Sequence, residues 1–272
     1  MVYTIFLESN KMNIKKILKT EVIDNKICYF ILNNPAKRNP LSLCLIELLQ
    51  NELDKVAKNR NIKVLIIKSS GPSFCSGHDL KEVNNFSKSQ LKLQELFNKC
   101  SKMMLSIRKL NQPVIACVDG VASAAGCQLV ASCDLVIATK NSKFQTPGVN
   151  IGLFCSTPMV AVSRKIAPKD MMYMLLSGET IKAEQAKDFK LVNKVVSKSL
   201  LEKEILKIAN HICSKSTESI VIGKQAFYNQ LEMPIEDAYK YTSKIMAKNM
   251  KSYDAKEGIS AFIEKRSPVW KD

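Results

Sequence analysis

Up to about residue 196 the chain alternates short β-branched apolar runs with stretches of helical periodicity; beyond that point only helical periodicity remains. That order is the strongest constraint on the fold. Strands separated by helices pair in parallel, because a right-handed crossover must return the chain to the same edge. Ile23–Leu32 reads as a strand ending at Asn33-Asn34-Pro35, and Lys63–Lys68 (KVLIIK) as a short buried one. Pro113–Val118, opening on a proline as an edge strand tolerates, and Leu135–Ala138 complete the set. Between them, Leu45, Leu48, Leu49, Leu53 and Val56 recur at helical spacing over Ser42–Ala57, as do Leu96, Cys100, Met103 and Ile107 over Ser89–Arg108. Gly120–Cys133 is small and apolar throughout and reads as one tightly packed helix.

The second half predicts helices over Thr157–Ile166, Lys169–Leu176 and Ala183–Phe189. Ser199 and Glu202 have capping-box spacing, opening a helix that buries Leu201, Ile205, Ile208 and Ile212. Two or three more helices fill Glu218–Lys265, and no internal repeat is visible.

Charge narrows the partners without selecting one. Lys and Arg number 41 against 25 acids, a net +16, which attracts phosphorylated small molecules, nucleic acid or an acidic membrane surface. The nine cysteines are odd in number, form no CxxC pair and lie mostly in apolar runs, so they read as reduced, buried thiols of an intracellular protein. With His78 and His211 the sole histidines, a histidine-rich metal site is excluded, and no metal is expected. No apolar run is long and clean enough for a membrane span. The opening twenty residues are basic and lack Arg; they fit either a weak mitochondrial presequence or a simple extension.

Two segments offer backbone suited to a reactive centre. Phe74-Cys75-Ser76-Gly77-His78-Asp79 follows the KVLIIK strand, and Ala124-Ala125-Gly126-Cys127-Gln128 opens a helix just after another strand. Free N–H groups at a helix start can hold an oxyanion, although Gly and Ala there also serve close packing alone.

The pair SGHDLKE and AAGCQLVASCD resembles the crotonase superfamily. NNPAKRNPLS before it, TPGVNIGL and LSGETIKAEQAKDFKLVNKVV after it, and the terminal EGISAFIEKRSPVW follow in the family's order, covering about residues 20 to 270. The resemblance implies an α/β fold: a spiral of ββα units with a C-terminal helical trimerisation region, assembled as a homotrimer or a hexamer. It divides the chain into an extension or presequence (1–20), a ββα core (21–198) and the helical region (199–272). It implies an acyl-CoA thioester as ligand, no bound cofactor, a place in lipid metabolism and a mitochondrial matrix location, with the cytosol as the alternative.

By the same resemblance, the backbone amides of His78 and Ala125 form the oxyanion hole. Lys37, Arg38, Ser76, Lys81, Gly126, Phe262 and Lys265 bind the acyl-CoA, the last two reaching from the tail to an adjacent subunit's nucleotide. The family's two catalytic glutamates fall at Gln128 and Gly148, which cannot transfer protons, so hydratase activity is expected to be weak, altered or absent. Asn150, Cys155, Ser156, Asp134 and the His78 imidazole are the side chains near enough in sequence to substitute. A family helix ending in Gly carries Lys190 here. Two rival readings stand beside the enzyme: an acyl-CoA binder without turnover, and a nucleic-acid binder. The latter rests on Lys240, Lys244, Lys248 and Lys251 along one helix face, since one superfamily member binds AU-rich RNA through a lysine-bearing helix.

Overall fold

The computed structural model describes residues 17–271; the first sixteen residues of the expected extension lie outside them. The apolar runs form a six-stranded sheet in the order β1 (Leu18–Ile23), β2 (Ile27–Leu32), β3 (Val64–Ser69), β5 (Val114–Val118), β7 (Leu135–Thr139) and β10 (Lys194–Val196). All neighbours are parallel except β1 and β2. The inner strands β2, β3, β5 and β7 read as nearly unbroken apolar runs because both faces are covered, whereas edge strand β1 is exposed beyond Leu18. Cys28, Phe30 and Leu32 point into the larger core with Leu65 and Ile67, while Ile27, Tyr29 and Ile31 join Val64, Ile66 and Ile115 on the other side.

A second sheet stacks beside the first: β4 (Ser73–Cys75), β6 (Val121–Ser123), β8 (Lys143–Gln145) and β9 (Ile181–Lys182). Successive strands alternate between the sheets, β3 then β4, β5 then β6, β7 then β8. Helices follow each pair: α1 (Leu43–Lys58) after β2, α2 (Leu80–Phe86) and α3 (Gln90–Lys109) after β4, α4 (Ala125–Ser132) after β6, and α5 (Ser156–Val162) with α6 (Pro168–Ser177) after β8. This is the expected ββα spiral. Then come α7 (Ala183–Asp188), α8 (Lys198–Cys213), α9 (Thr217–Gln230), α10 (Ile235–Asn249) and α11 (Tyr253–Ile263).

The structure corrects several expectations. The strand expected over Ile23–Leu32 is the return arm of a hairpin, turned at Asp24 and Asn25, both left-handed (φ 49° and 56°). Short Asx side chains tolerate that conformation. β1, the hairpin's first arm, begins at Leu18. Gly120–Cys133 is a strand and a helix, with the break at Ala124. Pro113 precedes β5, which lies between β3 and β7 and is therefore central rather than an edge strand; its carbonyl accepts Leu65 N–H at 2.9 Å. The Ser199–Glu202 box does not form: α8 starts at Lys198 after Ser197, and Glu202 turns instead to Tyr29 Oη (2.9 Å) and Lys68 Nζ (3.2 Å). Leu201, Ile205 and Ala209 of α8 seal the second face of the large sheet, with Ile208 and Ile212 partly buried beside them.

Helices α10 and α11 leave apolar side chains uncovered, among them Ile235, Tyr239, Phe262 and Ile263 (67%, 70%, 85% and 73% exposed). Lys190 is left-handed (φ 71°) where the chain leaves α7, with Leu191 N–H closing back on Ala186 O at 2.9 Å. A side chain there is strained. Lys190→Gly is expected to stabilise the fold by about 0.5–1 kcal/mol, less than the full relief because glycine also loosens the unfolded chain. Thermal melting should rise by about 2 °C; a lower midpoint would contradict the account.

Candidate active site

Backbone contacts between two segments build the site. One runs from β4 into α2, the other from β6 into α4, and the parallel pairing Ser73↔Val121 and Cys75↔Ala122 sets them side by side. Beyond the paired residues, glycines allow the approach to continue. A Cβ on Gly126 would come within 2.3 Å of the Cys75 carbonyl oxygen. One on Gly77 (φ +92°) would meet the Ser123 carbonyl oxygen at 3.0 Å and Ala125 N at 3.5 Å. Gly77 therefore sits against the amide of Ala125, and His78 follows it directly.

Ala124 turns the chain between β6 and α4 at φ 49°, ψ −115°, a conformation strained for any residue with a Cβ. Its N–H is anchored to Gln145 O at 2.9 Å, and the kink leaves Ala125 as the first residue of α4. Among the described residues, neither the His78 nor the Ala125 amide donates to a backbone carbonyl. Two adjacent unspent donors, one at a helix N-terminus, are the makings of an oxyanion hole.

Residues 37–41 are fastened to the same place by a residue that motif reading overlooked. Asn39 is fully buried and left-handed (φ 53°); its amide donates to Ser70 O (2.9 Å) and Ser73 O (2.8 Å), and its Oδ1 accepts Asn34 N–H (2.7 Å). Ser76 N–H then bonds Arg38 O at 3.1 Å, and Leu41 N–H bonds Gly77 O at 2.7 Å. Lys37 and Arg38 are thereby presented beside Ser76 with exposed side chains, as is Lys81 after the Asp79 cap of α2. Phe262 and Lys265 are not brought to this place within the chain. No hydrogen bond, ion pair or ring contact among the described residues joins them to it, and Phe262 lines a separate groove with Trp270.

Gln128 stands one turn into α4, 4% exposed, with its Oε1 buried and without a partner. It lines a cavity of about 520 Å³. Gly148 is buried beneath Cys155: a Cβ there would meet Leu153 O at 3.0 Å and Cys155 N and Sγ at 3.1 Å. A side chain there would need those neighbours to give by a few tenths of an ångström. Burial raises the Cys155 pKa from 9.0, so the thiol stays protonated and is a poor nucleophile.

The His78 ring packs edge-on to Phe97 (centroids 5.3 Å apart), with Nδ1 3.3 Å from Leu41 O and Nε2 buried without a partner. Desolvation lowers its pKa below 6.5 against the opposing hydrogen bond to Leu41, which keeps the imidazole neutral at pH 7. Asp134 is withdrawn from chemistry altogether, accepting Val114 N–H (2.7 Å), Lys224 Nζ (2.6 Å) and Tyr228 Oη (2.8 Å). Asn150 and Ser156 are exposed, and Ser156 Oγ turns to Phe154 O at 3.4 Å.

The sequence matches the Enoyl-CoA hydratase/isomerase family over residues 22–272. The chain belongs to that family. It is 47% identical over 240 residues to the human mitochondrial enoyl-CoA hydratase domain-containing protein 3, covering 88% of this chain and 79% of that protein. The crystal structure of that human protein superposes with a TM-score of 0.90 at 45% identity, over 93% of this chain and all of that one (100%). An enoyl-CoA hydratase structure from Mycobacterium smegmatis gives a TM-score of 0.92 at 41% identity, over 93% and 98% of the two chains. Membership of the enoyl-CoA hydratase/isomerase family accords with the spiral and with the paired amides. Among the described residues no group of three or more His, Cys, Asp or Glu is placed to hold a metal, and no helix is long and apolar enough to cross a membrane. Lys240, Lys244 and Lys248 are exposed on α10, but that helix ends at Asn249, so Lys251 falls beyond it and the expected four-lysine face is shorter.

Proposed function

We propose that this chain binds acyl-CoA thioesters in the mitochondrial matrix, in lipid metabolism, as a homotrimer or hexamer and without a cofactor. The thioester carbonyl oxygen lies between the amides of His78 and Ala125, with the cations of Lys37, Arg38 and Lys81 toward the phosphates of CoA. The observation that carries this reading is the backbone contact at Gly77 and Gly126, which sets two undonated amides side by side. Polarisation of the carbonyl survives; proton transfer does not. Gln128 can hold the acyl group or a water through its free Oε1, but an amide neither takes nor gives a proton near neutrality. Each missing acid–base group is worth about 10²–10⁴ in rate. The mitochondrial names of its relatives and the uncovered apolar faces of α10 and α11 support the location and the assembly.

Crotonyl-CoA tests the proposal in two measurements. At about a hundredfold excess over its dissociation constant it should stabilise the protein by about 2.7 kcal/mol, raising the melting midpoint by roughly 5–10 °C. Hydration by the wild-type protein should stay near the buffer blank, and Gln128→Glu should raise it about 10²-fold. Gln128→Glu is a cleaner test than a change at Gly148, where backbone atoms at 3.0 and 3.1 Å from a new Cβ would have to give way. Absence of thermal protection would overturn the ligand; brisk wild-type turnover would overturn the loss of proton transfer. In that event a rate rising with pH through a midpoint below 6.5 would assign the base to His78.

A further inference from the structure

The cavity at Gln128 runs between three helices and is closed by a fourth, and its two ends differ in chemistry. Ser101, Met104, Leu105 and Arg108 of α3 line it at i, i+3, i+4 and i+7. Thr157, Val160, Ala161 and Arg164 repeat that spacing on α5 and the turn after it. Along each helix the lining passes from small or apolar to a guanidinium. The two guanidiniums meet at Tyr228 and Glu232 of the closing segment: Arg108 lies 3.0 Å and Arg164 3.6 Å from the Glu232 carboxylate, and Arg108 covers the Tyr228 ring at 4.8 Å.

A third cation, Lys165, lines the same end, 5.2 Å from the Tyr228 ring centroid and 3.4 Å from its hydroxyl. No carboxylate pairs with it among the described residues. Asp134, the nearest acid to influence it, is already saturated by Val114, Lys224 and Tyr228. Burial pushes the Lys165 pKa down more strongly than Asp134 pulls it up, the mark of an ammonium short of a counter-charge. Three cations thus share one lining carboxylate at the end of the cavity where Arg164 and Glu232 reach the surface (side chains 50% and 55% exposed). Gln128, Ala131 and Ser132 of α4, the helix that begins at Ala125, line the same cavity.

We propose that the thioester taken by this site carries a second carboxylate at the far end of its acyl chain, received by Lys165 and Arg164 with Arg108 behind them. The inference rests on the acyl-CoA reading above and adds the class of acyl group: a dicarboxylic acid held as its mono-CoA thioester. The apolar walls accept the methylene chain, and the excess cations supply charge-assisted hydrogen bonds to the terminal carboxylate.

Adipyl-CoA and hexanoyl-CoA share a chain length and differ at that terminus, so calorimetric titration of both isolates it. The wild-type protein should bind adipyl-CoA at least about tenfold more tightly, in line with one hydrogen bond to a charged group. In Arg164→Gln the ratio should fall toward one, and in Lys165→Glu it should invert, with adipyl-CoA the weaker ligand. Arg164 is exposed, so its replacement keeps the test available should the charge reversal at 165 fail to fold. Equal affinity of the wild type for both thioesters, or a preference that persists in the variants, would overturn the distal carboxylate while leaving the acyl-CoA reading intact. Binding of neither would bring down both.

Discussion

Replacing Lys224 by methionine is expected to destabilise the protein by about 3–5 kcal/mol, the range for leaving one partner of a buried ion pair uncompensated. The side chains of Lys224 and Asp134 are only 8% and 16% exposed, with 2.6 Å between Nζ and Oδ2. Around them close further bonds: Lys224 donates to Gln112 O at 2.8 Å, and Asp134 takes the first amide of β5 and the Tyr228 hydroxyl. The network ties α9 to the edge of the core where β5 and β7 begin. Burial lowers the Lys224 pKa despite the adjacent carboxylate, so desolvation outweighs attraction and the pair gains little over an apolar substitute. Breaking it is another matter, because the carboxylate stays buried. Urea unfolding should show the loss, and the melting midpoint should fall by on the order of 10 °C. The double replacement Lys224→Met with Asp134→Asn should recover part of it, since no net charge is then left unpaired. A single-variant loss below about 1 kcal/mol would show that water reaches Asp134 and that the site is less enclosed than its geometry implies.

What could be read from the sequence was what has a period. Strands such as Val64–Ser69 and Val114–Val118 are apolar on both faces, and α1 and α3 carry stripes long enough to count, so the large sheet and its helices were legible. The second sheet was not: its strands are two or three residues long, too short for alternation to show. They hid in a loop at Ser73–Cys75 and inside an apparent helix at Val121–Ser123. This matters for the site, because β4 and β6 are the strands that bring its two halves together. The proposal of His78 and Ala125 rests on family motifs; composition alone gave no more than small residues at a helix start. Asn39 gave no signal, being one asparagine in a turn-rich stretch whose hydrogen bonds reach about thirty residues away (to Ser70 and Ser73). The cationic end of the cavity escaped for a similar reason. Arg108, Arg164 and Lys165 each look like solvated residues at a helix end, and only packing under Tyr228 makes them a group. Glu202 shows the converse error. Its spacing from Ser199 fits a local cap, yet a long-range bond to Tyr29, 173 residues away, wins.

The site's weakest point to substitution should be Gly126. Its hydrogen occupies the place where a methyl group would lie 2.3 Å from the Cys75 carbonyl oxygen and 2.9 Å from that residue's carbonyl carbon and Cβ. None of those atoms can swing aside: two belong to the backbone of β4, and the Cβ is fixed to it. Gly126→Ala must therefore push the start of α4 away from β4. The overpacking should destabilise the fold by about 1–3 kcal/mol. The second effect is on ligand binding, because the amides of His78 and Ala125 lie on opposite sides of the contact being wedged apart. Each hydrogen bond lost to the thioester carbonyl is worth about 0.5–1.5 kcal/mol. Crotonyl-CoA affinity is expected to fall about threefold to tenfold per lost bond, with thermal protection reduced at concentrations that protect the wild type. Gly223→Ala supplies the contrast, since a Cβ there meets nothing within 4 Å and the helix interior of α9 favours alanine by about 1 kcal/mol. A folded Gly126→Ala protein that bound crotonyl-CoA as tightly as the wild type would mean that the thioester oxygen is held elsewhere. The paired amides would then be a packing feature of the spiral.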